Sequence, residues 1–106
     1  MNDYFVHESS YVDDNVVIGK GTKIWHFSHI MSDSKIGENC NIGCGAIFAN
    51  YNGKIKQKIF VGDNCFIGAN VTLVAPLTIK NDCFIGAGTV IRKDLDEISD
   101  LKLIKK

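Results

Sequence analysis

Along most of this chain an aliphatic or aromatic residue returns every six positions. From Val6 the series runs Val12, Ile18, Ile24, Ile30, Ile36, Ile42 and Phe48; restarted at Val61 it runs Ile67, Leu73, Ile79, Ile85 and Ile91. Four residues after each member sits a second, mostly small position: Ser10, Val16, Thr22, Ser28, Ser34, Cys40 and Ala46, then Cys65, Val71, Leu77, Cys83, Thr89 and Leu95. Between the two, at the third offset, come Asn15, Gly21, Asp33, Asn39, Gly45, Asn64, Asn70, Asp82 and Gly88. These residue types accept positive φ and tight corners. Each hexad therefore reads as a short strand and a corner, with the large and the small position turned inward.

A period of six is neither helical nor that of an ordinary alternating strand. It fits a parallel β-helix, in which three hexads close one 18-residue coil. Residues 65–71, CFIGANV, and 83–89, CFIGAGT, repeat in register one coil apart. That register stacks Cys65 on Cys83, Phe66 on Phe84 and Ile67 on Ile85 at about 4.8 Å. The expected fold is all-β: a β-helix domain over residues 1–95, about five coils in a rod of about 24 Å. A C-terminal tail over 96–106 leaves the repeat, as a short helix or as a strand on a neighbouring coil. Open ends and flat apolar faces call for a covering copy, most simply in a homotrimer.

One stretch breaks the beat. Residues 49–60 read ANYNGKIKQKIF, and the apolar series resumes at Val61 one residue out of phase. The expectation is a stretched hexad: residues 54–60 replace one hexad and bulge outward as a loop, and Val61 opens the next coil. A loop on a rigid scaffold is a common seat of function. Its alternating Lys54, Lys56 and Lys58 suit a phosphate or pyrophosphate.

Composition narrows the picture further. The 106 residues carry twelve basic and twelve acidic side chains, so nothing favours bulk attraction to nucleic acid or to an anionic membrane. No apolar run approaches the about 20 residues of a membrane helix. The polar start, MNDYFVHESS, does not read as a secretion signal, so a cytoplasmic location is expected. Of the four cysteines, Cys40, Cys65 and Cys83 occupy the small inward position and read as buried hydrophobes rather than as redox groups. Cys44 stands outside that position.

The second decorated stretch is IWHFSHI, residues 24–30. His26 and His29 point away from the interior, and His7 falls one coil earlier near Trp25, so three histidines and a tryptophan are expected in one patch. A neutral imidazole beside an amine acts as a general base. Three histidines also suit a zinc site, as in the γ-type carbonic anhydrases, although the spacing does not match, and no metal ligand is assigned.

The hexads resemble those of the hexapeptide-repeat acyltransferases over nearly the whole chain. Residues 6–43 resemble the N-terminal part of bacterial N-acetyltransferases that modify 3-amino sugars on UDP-linked uronic acids. Residues 36–94, including NYNGKIKQKIFVG and LVAP, resemble the acetyltransferase domain of the bifunctional uridylyltransferase/glucosamine-1-phosphate acetyltransferase. The resemblance implies a left-handed β-helix, acetyl-CoA as acyl donor and an amino-sugar acceptor, phosphorylated or nucleotide-linked. It implies that Cys44, Asn50, Tyr51, Ala69 and Ala87 hold the coenzyme, that Asn41 contacts the sugar and that Lys56 lies near its phosphate; from the loop's own pattern, Lys54 or Lys58 would join Lys56 on the anionic group. The family's catalytic histidine falls on Phe27 in an ungapped alignment, flanked by His26 and His29, the two candidate bases. The alternative expectation is a non-catalytic trimeric binding or assembly module.

Overall fold

The computed structural model describes residues 3–51 and 53–92. Within them fourteen short strands follow one another: β1 (Phe5–Val6), β2 (Tyr11–Val12), β3 (Val17–Ile18), β4 (Lys23–Ile24), β5 (His29–Ile30), β6 (Ser34–Ile36), β7 (Asn41–Ile42), β8 (Ile47–Ala49), β9 (Ile59–Val61), β10 (Phe66–Ile67), β11 (Thr72–Val74), β12 (Leu77–Ile79), β13 (Phe84–Ile85) and β14 (Val90–Ile91). Every third strand belongs to the same sheet. Sheet A is β1-β4-β7-β10-β13, sheet B is β2-β5-β8-β11-β14, and sheet C is β3-β6-β9-β12. All pairings between these strands are parallel. The chain is a parallel β-helix, a three-faced prism, as the hexads predicted, and it is left-handed, as the resemblance implied. Among the described residues no helix is long and apolar enough to cross a membrane.

The interior is the six-residue series made solid. Ile24, Ile30, Ile42, Phe48, Ile67, Leu73 and Ile85 are fully buried and stack coil upon coil. Each such side chain contributes about 1.5–3 kcal/mol by leaving water. The small inward residues do a second job. Thr22 Oγ1 donates to the Gly37 carbonyl at 2.7 Å and accepts from the Cys40 amide at 3.0 Å. Ser28 Oγ donates to the Gly43 carbonyl at 2.9 Å and accepts from the Ala46 amide at 3.2 Å. These hydroxyls complete corner hydrogen bonds that the backbone alone leaves open, and a buried unpaired amide is costly. The cysteines continue that column: Cys40 Sγ lies 3.0 Å from the Gly62 carbonyl and Cys65 Sγ 3.1 Å from that of Lys80. The hydrogen bond with Cys40, together with burial, pushes the Cys65 thiol far up, and burial raises Cys83, although Cys83 is only half-buried.

All nine third-offset residues named above adopt positive φ. Phe27 joins them at φ 58°, a bulky side chain in a conformation that favours Gly, Asn or Asp.

The break at 49–60 takes a form different from the one expected. Ile30 pairs with Phe48, the regular 18 residues on, but Ser34 pairs with Ile59 and Ile36 with Val61, 25 residues on. The segment does not replace a hexad. It adds seven residues at the corner between sheets B and C, and Val61 belongs to sheet C. The departure spans 50–58 rather than 54–60: Ile59 is fully buried and Phe60 pairs with Lys35, because both complete a strand of sheet C. The tail expected over 96–106 lies outside the described residues.

Candidate functional site

The corner between sheets A and B carries a vertical column. His26, Cys44, Ala69 and Ala87 follow from the strand register, one per coil. Their carbonyls are engaged by the next coil: Gly45 N donates to His26 O, Asn70 N to Cys44 O and Gly88 N to Ala69 O, each at 2.8 Å. The amide nitrogens of Ala69 and Ala87 make no hydrogen bond among the described residues. The neighbouring Gly43 and Gly68 are forced by close approach: a Cβ there would come within 2.7 Å of Ala69 N and 2.6 Å of Ala87 N. The outcome is a strip of small side chains with the backbone amides of Ala69 and Ala87.

At the head of this column His26 stacks on His7, ring centroids 3.6 Å apart. His7 Nδ1 accepts from the Ser9 amide at 3.1 Å, and Ser9 Oγ accepts from the Phe27 amide at 2.9 Å. Trp25 packs near Phe5 and donates Nε1–H to Asn41 Oδ1 at 2.9 Å, which fixes Asn41 on the outer surface of sheet A. Phe27 projects from the corner, 72% exposed.

His29 has other neighbours. It lies on sheet B, where Nε2 meets Asp13 Oδ1 at 2.8 Å and the Tyr11 ring stands edge-on at 5.3 Å. The expected single patch of three histidines is thus two sets of contacts, His7 with His26 and His29 with Asp13. Three residues of chain carry His29 past the corner onto the next face. Among the described residues no group of three or more His, Cys, Asp or Glu side chains could hold a metal ion.

The corner between sheets B and C holds the inserted loop. Gln57 N donates to Asn50 O at 2.8 Å and Tyr51 bridges Lys56 antiparallel, so the loop is a small hairpin with Gly53 at φ 99°. Asn50 and Tyr51, paired in the sequence expectation, part company. Asn50 is buried at 2% exposure and donates Nδ2–H to Ser32 O at 3.1 Å and to Ser32 Oγ at 3.0 Å. Its Oδ1 is buried without a partner among the described residues. Tyr51, Lys54, Lys56 and Lys58 are exposed. Two concavities open beside the loop on sheet C: one of about 340 Å³ between Lys56, Lys58 and Pro76, and one of about 620 Å³ over Phe60, Gly62 and Lys80. Neither reaches the histidines or the Ala69–Ala87 strip.

The candidates therefore occupy two corners of one prism, and sheet B lies between them. Sequence reasoning missed Asp13 and Ser32. The signal was present: Tyr11 registers with His29, which sets Asp13 diagonally across one coil from the imidazole.

Comparison with known proteins agrees with this architecture. The chain is 47% identical over 89 residues to the bifunctional protein GlmU of Listeria monocytogenes, covering 83% of this chain and 19% of that protein. It is 47% identical over 81 residues to GlmU of Caldanaerobacter subterraneus, covering 76% and 18%. The chain thus spans about a fifth of the length of these curated relatives. Among solved structures it superposes with a TM-score of 0.64 on a GDP-perosamine N-acetyl transferase of Caulobacter crescentus in complex with CoA and GDP-perosamine, at 21% identity over 84% of this chain and 48% of that one. The UDP-N-acetylglucosamine O-acyltransferase LpxA of Moraxella catarrhalis gives a TM-score of 0.59 at 14% identity, over 89% and 59%. At these identities the structures speak for the fold alone. The repeat itself matches the bacterial transferase hexapeptide (six repeats) description over residues 2–50 and 58–93. With its hexads, its three-faced coils and that match, the chain belongs to the bacterial transferase hexapeptide family.

Proposed function

We propose that the chain is an acetyl-CoA-dependent N-acetyltransferase acting on a phosphorylated or nucleotide-linked amino sugar of cell-envelope (lipopolysaccharide) biosynthesis, in the cytoplasm. The observation that carries the reading is the seven-residue lysine loop set on an otherwise regular coil stack, in a region 47% identical to GlmU. The Caulobacter neighbour, bound to CoA and a nucleotide amino sugar, is consistent with it.

The residues fit the donor. Cys44, Ala69 and Ala87 present the small-residue strip, and the Ala69 and Ala87 amides suit the carbonyls of a pantetheine arm or a developing oxyanion. Tyr51 would flank the coenzyme, while Asn50, turned inward, would set the loop's base. Asn41 would contact the sugar. Lys56, with Lys54 and Lys58, would hold its phosphate as point charges. His26 or His29 would take the proton of the attacking amine.

The two corners also suit a homotrimer. They flank sheet B, whose outer residues include Tyr11, Ile47 and Val90. In a threefold ring with sheet B inward, the A–B corner of one chain meets the B–C corner of the next, and strip and loop face each other between subunits. An acetyl-transfer assay against amino sugars, free, phosphorylated and nucleotide-linked, tests the reading. CoA release with at least one acceptor is expected; no release with any overturns it. Phe27 at the position of the family's histidine favours the second reading, a trimeric module without turnover. Calorimetry that detects no acetyl-CoA binding would select it.

A further inference from the structure

We infer that the outer face of sheet C carries a nucleotide-binding site, in which Phe60 stacks the base and Lys35 and Lys80 hold the phosphate. The site is distinct from the strip and the loop lysines and does not rest on the acetyltransferase reading.

The hollow begins in the sequence. At the corner between sheets C and A, the residue that follows the strand is glycine after β3, β6 and β9: Gly19, Gly37 and Gly62. Each amide donates to a carbonyl of the next coil, Gly19 N to Ile36 O, Gly37 N to Val61 O and Gly62 N to Ile79 O, at 2.8 Å. After β12 the same position is Lys80. Close approach fixes the glycines: a Cβ on Gly37 would come within 2.7 Å of the Gly62 carbonyl, and one on Gly62 within 2.7 Å of Asn81 N. Bare positions followed by one long side chain leave the concavity of about 620 Å³. That volume lies within the roughly 300–1,000 Å³ of small-molecule sites.

The lining selects the ligand. Lys35, Phe60 and Thr78 stand in register on successive strands, about 4.8 Å apart. Phe60 is 41% exposed and makes no ring contact among the described residues, whereas the exposed Phe66 and Phe84 of sheet A stack on each other at 4.7 Å. An aromatic surface is therefore open in the hollow. Around it stand donors. Lys35 and Lys80 are exposed, and neither is in an ion pair among the described residues. Asn81 accepts through Oδ1 from the Asp63 amide at 2.7 Å, which leaves its Nδ2 to donate. The carboxylate of the lining, Asp63, already accepts through Oδ1 from the Glu38 amide at 2.8 Å. Two ammonium groups and an amide donor outweigh that carboxylate, so the hollow favours an anion.

The ring and the charges together narrow the class. Inorganic phosphate would leave the Phe60 ring in water, and a neutral aromatic would leave both ammonium groups unanswered. A nucleoside phosphate meets both, with its base on Phe60 and its phosphate between Lys35 in the coil before and Lys80 in the coil after. Stacking on an aromatic ring accepts any base, so the site selects nucleotides as a class. In a threefold ring with sheet B inward, this hollow would face solvent.

Calorimetry on the intact protein tests the site, with AMP, UMP, adenosine and inorganic phosphate as probes. AMP and UMP should bind saturably, at least about tenfold tighter than adenosine or phosphate. Phe60→Leu keeps an apolar strand residue and should weaken AMP about 5–150-fold, the loss of one stacked base. Lys35→Gln and Lys80→Gln should each weaken AMP several-fold and flatten its salt dependence. Phe60→Trp should report the stacking directly, as saturable quenching of its emission by AMP. Phe60 also borders the loop's concavity, so Lys56→Gln is the control and should leave AMP affinity unchanged. No saturable AMP binding, phosphate alone binding as tightly, AMP affinity unchanged by Phe60→Leu, or AMP affinity lost in Lys56→Gln overturns the site and leaves the transferase reading standing.

Discussion

Phe27 holds a backbone conformation that its own side chain resists. At φ 58° a left-handed residue other than Gly, Asn or Asp carries a cost of about 1–2 kcal/mol, and at 72% exposure no burial offsets it. Strain of this kind collects at functional positions. Replacing Phe27 by Asn should raise unfolding stability by about 1 kcal/mol, read as a higher denaturant midpoint with an unchanged slope. If the corner borders the acceptor, the same variant should turn over more slowly. At this scale the sequence was readable where a residue's role is local. The corner residues, the inward series and the buried cysteines follow from spacing, since each needs only its own coil. Asn50 was not readable. Its amide turns inward to Ser32 of the preceding coil, a contact that depends on how two coils stack.

The loop shows where the element scale adds something. Thirteen residues separate Phe48 from Val61, and the apolar beat alone fits two readings: a hexad followed by a stretched hexad on separate faces, or one hexad carrying seven extra residues. Phase is blind to whole repeats, and only the pairing of Val61 with Ile36 decides between them. Deleting residues 51–57 should restore an 18-residue coil. The thermal midpoint should change by a few degrees at most, because Ile59 and Val61 keep their places in sheet C; retained acetyl-CoA and sugar binding in that variant would remove the loop from the site. The cysteine column is a second element with a readable outcome. Cys40 and Cys65 are enclosed between coils and Cys44 is exposed at the corner. A chromogenic thiol reagent should modify Cys44 first in native protein, and Cys44→Ser should remove that phase. Acetyl-CoA should slow it if the strip is the coenzyme seat.

At the scale of the whole molecule, sheet B carries apolar side chains on its outer surface, as sheet A does at Phe5, Phe66 and Phe84. Ile47 is half-buried in the isolated prism, between His29 and Thr72, and Tyr11 and Val90 stand exposed at either end of the same column. Sedimentation should return the mass of three chains. Ile47→Asp should give single chains that keep the β-helix circular dichroism spectrum but lose turnover, since strip and loop would no longer meet. Val17→Asp, a comparable charge on sheet C, should leave the assembly intact. The prism was legible from the hexads because each coil repeats the same physical problem. Which residues meet across the assembly was not, since the repeat constrains the interior and leaves the outer faces free.

The long coil has a consequence for how such a protein changes over time. Closing 25 residues rather than 18 costs only about 0.3 kcal/mol of additional chain entropy, because closure depends on the logarithm of length. The coils above and below already fix both ends of the loop. Insertions at this corner are therefore nearly free, whereas a residue added within a strand would turn an isoleucine out of the interior. New acceptor preferences could be acquired by exchanging this hairpin for longer or differently charged ones, much as an antibody framework exchanges its binding loops, and the corner is the place to build a library.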